Sequence, residues 1–145
     1  MLLKRRSEKV DLLKKVPLFA GLSQRDLNEI ARHADEVAVE AGKVLARQDG
    51  VGHEFVVIIS GRARVERNRK LIARVRAGSF FGEMALIDGK PRTATVTAET
   101  PMVILCVHVR SFGHLLDNVP GLQRKLLVTL CERLRDADTT IGATN

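Results

Sequence analysis

Tryptophan and tyrosine are missing from this chain, and its only fully aromatic side chains are five phenylalanines. Proteins that hold nucleic acid by stacking need aromatic platforms, so base stacking has little to draw on here. Cysteine is limited to Cys106 and Cys131, outside any CxxC pattern. That excludes a disulfide framework and fits reduced thiols in a cytosolic protein; both cysteines lie on stretches that read as core. Long apolar runs are also missing. The longest, Phe55 to Ile59 and Met102 to Val107, fall far short of the roughly 18 residues that a membrane-spanning helix needs. The N-terminal MLLKRRSEKVDLLKK is basic but has no continuous apolar segment, so it is not a signal peptide. A cytoplasmic protein without a membrane partner is the expectation.

Acidic residues are in deficit: 17 Asp and Glu face 24 Lys and Arg, for a net charge of +7. The excess favours anionic partners. The bases are nevertheless spread over Lys4 to Arg6, Lys14-Lys15, Arg62 to Arg76 and Arg124 to Arg135, and form no single stripe. Direct nucleic-acid binding is therefore not expected.

What is present suffices for one domain with a real core: 145 residues, 45% of them hydrophobic and 28% charged. Residues 7 to 15 suit a short amphipathic helix that Pro17 ends. Ser23 with Asp26 three residues on makes a capping-box-like start. Leu27, Ile30, Ala31 and Ala34 follow at helical spacing, which predicts a helix from Ser23 to about His33. From Glu36 to Val109 the apolar period shortens to two, punctuated at Gly42, Asp49-Gly50, Ser60-Gly61, Asn68, Ala77-Gly78 and Glu99-Thr100-Pro101. About eight short strands at this spacing predict an antiparallel, jelly-roll-like β-roll: a mainly β fold with N-terminal helices and a C-terminal helix pair. In that pair, Ser111 is placed to cap Phe112 to Leu116, and a longer helix runs from about Pro120 to Asp136. Leu122, Leu126, Leu127, Leu130 and Leu134 line its apolar side, either packed on the roll or meeting a second copy as a homodimer. The expected division is an N-terminal helical extension at 1–16, a binding domain at 17–138 and a tail at 139–145. No helix-turn-helix fits after the last helix.

The segment Gly78 to Val96, GSFFGEMALIDGKPRTATV, carries the chemistry. Arg92 follows Pro91 at the entry to an apolar β run, beside the small residues Thr93 and Ala94. A guanidinium there needs an anion, because an unpaired buried charge is costly, and arginine suits phosphate through paired donors. Gly82 lets the chain turn close to a ligand. Met84 to Asp88 is long enough for one or two helical turns whose free amides would face an anion. Glu83 would repel phosphate, so a neutral donor such as a ribose hydroxyl suits it better. A plain Glu83 to Arg92 salt bridge closing the loop is the alternative account of the same two residues.

Elsewhere the signals are thin. His33, His53, His108 and His114 are scattered, and Cys106 with His108 supplies only two ligands of one face, so no metal site is expected. His53-Glu54 is the only fragment of a cupin-like metal pattern. No nucleophile, base and oxyanion arrangement is visible, so the chain reads as a binder and not as an enzyme.

Phe81-Gly82-Glu83-Met84-Ala85-Leu86 followed by Pro91-Arg92-Thr93-Ala94-Thr95-Val96 closely resembles the phosphate-binding cassette of cyclic-nucleotide-binding domains. That family includes the catabolite activator protein, kinase regulatory subunits and cyclic-nucleotide-gated channels. VPLFAGLS, EAGKVLARQDG and HEFVVIISGRARV are similar to it as well, so the resemblance covers residues 15 to 138. It implies that Arg92 grips the cyclic phosphate with amides around Met84, Ala85, Thr93 and Ala94. It implies that Glu83 and the Gly82 backbone hold the ribose 2'-hydroxyl, and that Leu86 reports occupancy to the helices. Val75 and Phe80-Phe81 would wall the sugar and base, and Ala137-Asp138 would lie near the base with Thr139 and Thr140 just beyond. The implied ligand is cyclic AMP, with cyclic GMP possible, and the implied role is a sensor whose C-terminal helix moves on binding and signals to a downstream protein. The alternative is the effector-binding part of a transcription regulator that lacks its DNA-reading domain.

Overall fold

In the computed structural model, backbone is described for residues 2–144 and side chains for residues 7–137. Helix α1 (Leu2–Lys14) leads through a 3₁₀ turn at Pro17–Phe19 to α2 (Gln24–Arg32). Eight strands follow: β1 (Ala34–Val39), β2 (Val44–Ala46), β3 (Glu54–Ser60), β4 (Arg62–Arg67), β5 (Lys70–Arg76), β6 (Phe80–Phe81), β7 (Thr95–Ala98) and β8 (Met102–His108). Helix α3 (Glu83–Asp88) interrupts them between β6 and β7, and α4 (Val109–Asn118) and α5 (Pro120–Thr144) close the chain. The strands form two antiparallel four-stranded sheets, ordered β1-β8-β3-β6 and β2-β7-β4-β5. This is the expected mainly β roll with flanking helices.

The two longest apolar runs are buried on both faces because they form the central strands β3 and β8, and period-two alternation divides them. Their register opposes Phe55 to Val107 and Val57 to Leu105, which pack under the helices with Ile30, Phe112, Leu115 and Leu126. The intervening pairs, Val56 with Cys106 and Ile58 with Ile104, fill the space between the sheets with Ala63, Val96 and Met102. Each fully buried aliphatic side chain of this kind contributes about 1.5–3 kcal/mol. The roll is thus an inter-sheet core and a helix-covered core sharing one wall.

The helices depart from the sequence reading in detail. Ser23 does cap α2, its hydroxyl accepting from the Asp26 amide at 3.1 Å. Helix α1 begins at Leu2, earlier than expected, and Val10 and Leu13 enter the main core. Helix α4 is capped by His108, whose Nδ1 accepts from the Arg110 amide at 3.2 Å, so Ser111 lies inside the helix and not at its cap. On α5, Leu122 and Leu126 are buried and Leu130 partly so, but Leu127 and Leu134 are each 63% exposed. Cys131 is exposed as well, not core as expected, while Cys106 is buried. Leu127, Cys131 and Leu134 recur at helical spacing on a face of α5 beside the one the roll covers.

Candidate functional site

Between β6 and β7 the backbone leaves the sheets and forms a cavity of about 480 Å³, within the range of small-molecule sites. Gly82 starts this excursion. It caps α3 in the left-handed region (φ 97°), and a β-carbon there would come within 2.6 Å of the Glu54 carbonyl oxygen and 2.9 Å of the Arg92 guanidinium. Only glycine allows both the turn and that approach. Gly89, also left-handed, ends α3 with its amide donating to the Ala85 carbonyl. The second wall comes from Lys90 to Ala94. Its backbone is pinned by two bonds to the Asp49-Gly50 turn: the Arg92 amide donates to the Gly50 carbonyl at 2.9 Å, and the Asp49 amide donates to the Arg92 carbonyl at 2.8 Å. Strand β7 begins only at Thr95, so Arg92 sits in the loop before it and not at the head of a strand. Gly52 packs against the same segment with no room for a side chain, since a β-carbon there would meet Ala85 at 2.6 Å.

Phe81, Gly82, Glu83, Met84, Ala85, Arg92, Thr93 and Ala94 all line this one cavity. Val75 does not; it packs half-buried against the inter-sheet core. The Asp138, Thr139 and Thr140 side chains lie outside the described residues, and Ala137 is exposed. Leu86 is partly buried against the helix-covered core, which connects α3 mechanically with the helices.

The two charges are not paired with each other. Arg92 is half-buried, donates from Nη2 to the Glu54 carbonyl at 3.0 Å and forms no ion pair among the described residues. Burial lowers its pKa, with Glu54 and Glu83 opposing that shift. Glu83 is 3% exposed and pairs instead with Arg133 of α5, whose Nη1 donates to Oε1 at 2.9 Å. The plain Glu83 to Arg92 closure is therefore not what forms. Burial raises the Glu83 carboxyl above the ordinary 4.5, against its own backbone amide, Arg133 and Arg92, which favour the charged form. Its second oxygen, Oε2, is buried with no hydrogen-bond partner among the described residues. Buried polar atoms are nearly always satisfied, so an acceptor left open beside a cavity fits a donor brought by a ligand.

Arg133 is the residue that sequence reasoning missed. It also donates to the Phe80 carbonyl at 3.2 Å and lies over the Phe80 ring at 4.4 Å from its centroid. A signal was available. Leu122, Leu126 and Leu130 form the buried stripe of α5, and Arg133 continues it at the same helical spacing. A charge that extends an apolar face needs a partner, and Glu83 provides one.

The family model described as cyclic nucleotide-binding domain matches residues 36–119. A cyclic nucleotide-gated potassium channel of Rhizobium etli is 38% identical over 122 residues, 84% of this chain and 34% of the channel. A cAMP-dependent protein kinase regulatory subunit of Schizosaccharomyces pombe is 34% identical over 114 residues, 78% of this chain and 28% of the subunit. The chain thus spans about a third of the length of these curated relatives. Among solved structures, the catabolite activator protein of Thermus thermophilus superposes with a TM-score of 0.80 at 26% identity, over 87% of this chain and 62% of that one.

Proposed function

The chain belongs to the cyclic nucleotide-binding domain family, and from that premise we propose that its cavity binds cyclic AMP in preference to cyclic GMP and that binding changes the hold on α5. The observation that carries this reading is the division of charge in the cavity: among the described residues, a half-buried arginine without an ion-pair partner and a buried carboxylate with one oxygen open. Arg92 takes the cyclic phosphate through charge-assisted donors, helped by amides of Ala85 and Thr93 to Ala94. Glu83 Oε2 accepts from the ribose 2'-hydroxyl, which a phosphate oxygen, itself only an acceptor, cannot replace. Phe81, Val65 and Val96 supply apolar wall. On this reading the site binds the nucleotide without turning it over.

The sensing step follows from Arg133. It ties α5 to the same carboxylate that receives the sugar. A hydroxyl arriving at Glu83 alters the electrostatics of that tie, and the nucleotide shifts the population of α5 positions by its differential affinity for them. A downstream protein then reads α5. Preference for cyclic AMP rests on the cAMP-dependent kinase regulatory subunits among the relatives, alongside which cGMP-dependent kinases also match at 32% identity.

Calorimetric titration of the chain with cyclic AMP, cyclic GMP and 5'-AMP tests this reading. One site is expected, tightest for cyclic AMP and at least about tenfold weaker for 5'-AMP, a difference of about 1.4 kcal/mol. Equal affinity for all three, or no binding, overturns it.

A further inference from the structure

Away from the cavity, the fold gathers three side chains that the sequence scatters. Glu29 and His33 stand one helical turn apart at the end of α2, and His114 reaches them from α4. Both imidazoles aim Nε2 at one carboxylate oxygen: His33 at 3.3 Å and His114 at 3.0 Å from Glu29 Oε1. The three ligand atoms all lie within 4.8 Å of one another. The rings are tilted by 53° with centroids 5.0 Å apart, so they converge without stacking face to face.

We propose that Glu29, His33 and His114 form a binding site for a divalent transition metal ion of the zinc type, which ties α2 to α4. Two imidazoles and a carboxylate are a zinc donor set, and the calcium and magnesium preference for several oxygen ligands is not met by one carboxylate. Ligands about 2.05 Å from a tetrahedral centre stand about 3.3 Å apart, so the two glutamate to histidine spacings already match. The histidine to histidine spacing closes by side-chain rotation, since His114 is 46% exposed and His33 28% exposed. The exposed side leaves the remaining coordination position to water. An outer contact steadies the carboxylate: Arg32 Nη1 donates to the other Glu29 oxygen at 3.4 Å. Helix α4 carries the chain from β8 into α5, so an ion here fixes the base of the helix pair.

The test titrates the untagged chain with Zn²⁺ against a chromophoric chelator, with Tm measured in parallel. Wild type is expected to bind one ion and to gain several degrees in Tm, with no gain from Mg²⁺ at the same concentration. His33→Ala/His114→Ala is expected to bind at least about 100-fold more weakly, while Cys131→Ser binds as wild type. Circular dichroism of the metal-free double variant checks its fold, and Glu29→Gln alone provides a milder variant, expected to weaken binding about tenfold. No Zn²⁺ binding by wild type, equal binding by the double variant, or loss of binding in Cys131→Ser overturns the proposal.

Discussion

Replacing Arg133 by methionine removes one charge from a defined place and keeps apolar length over the Phe80 ring. In the wild-type chain Arg133 donates to Glu83 at 2.9 Å, and the carboxylate is 3% exposed while the arginine side chain is 46% exposed. A hydrogen bond to a charged group contributes about 1.5–3 kcal/mol, and solvent at the arginine end draws this toward the lower limit. The variant should therefore lose about 2 kcal/mol of stability near neutral pH, mostly because a buried carboxylate keeps its charge without its cation. The loss carries a pH signature. Glu83 has a folded-state pKa raised above the ordinary 4.5, so its favourable contribution is complete below that ordinary value and is lost as pH rises through the folded value. Without Arg133 the folded value rises further. The stability gap between wild type and Arg133→Met should accordingly be small at pH 5 and widen by about 1 kcal/mol or more at pH 8. Urea unfolding at the two pH values, with a common m-value, reads this directly. An equal gap at both would refute the electrostatic account of the pair.

Two further expectations concern packing and access. Gly82→Ala should cost about 1–2 kcal/mol from the left-handed backbone alone and should also displace Arg92, so thermal denaturation and nucleotide affinity should both suffer; unchanged affinity would show that the close approach to Arg92 is unimportant. Cys106 is buried with its thiol pushed up to about 12, chiefly by burial and then by Glu54, whereas Cys131 is exposed. A thiol reagent at pH 8 should modify one cysteine in the native chain and two in denaturant, and rapid native modification of both would contradict the described packing.

Much of the roll was legible because strands with one covered face advertise themselves by alternation, and Gly, Pro and Asn mark the turns between them. The cassette residues were legible because a carboxylate, a left-handed glycine and a loop arginine lie within a dozen positions of one another. Four features escaped for physical reasons. Leu127, Leu134 and Cys131 read as core because apolar residues on two neighbouring faces of α5 merge into one broad stripe in the sequence, whereas the roll covers only the face of Leu122, Leu126 and Leu130. His108 took the cap from Ser111 because β8 runs directly into α4, leaving no loop for Ser111 to end. Arg133 reaches Glu83, and His114 reaches Glu29, only through the angles at which α4 and α5 leave the roll, which are set by tertiary packing at Phe112, Leu115 and Val119. Val75 was expected at the cavity, but its strand turns it toward the inter-sheet core.

The central claim, that Arg92 and Glu83 divide phosphate and sugar between them, is tested most directly by titrating cyclic AMP into wild type, Arg92→Ala and Glu83→Gln by calorimetry. The account predicts a single site in the wild-type chain. Arg92→Ala should weaken it by at least about 100-fold, as expected for two charge-assisted donors of about 1.5–3 kcal/mol each, and Glu83→Gln should weaken it less. Arg92→Ala binding cyclic AMP as tightly as wild type would contradict it.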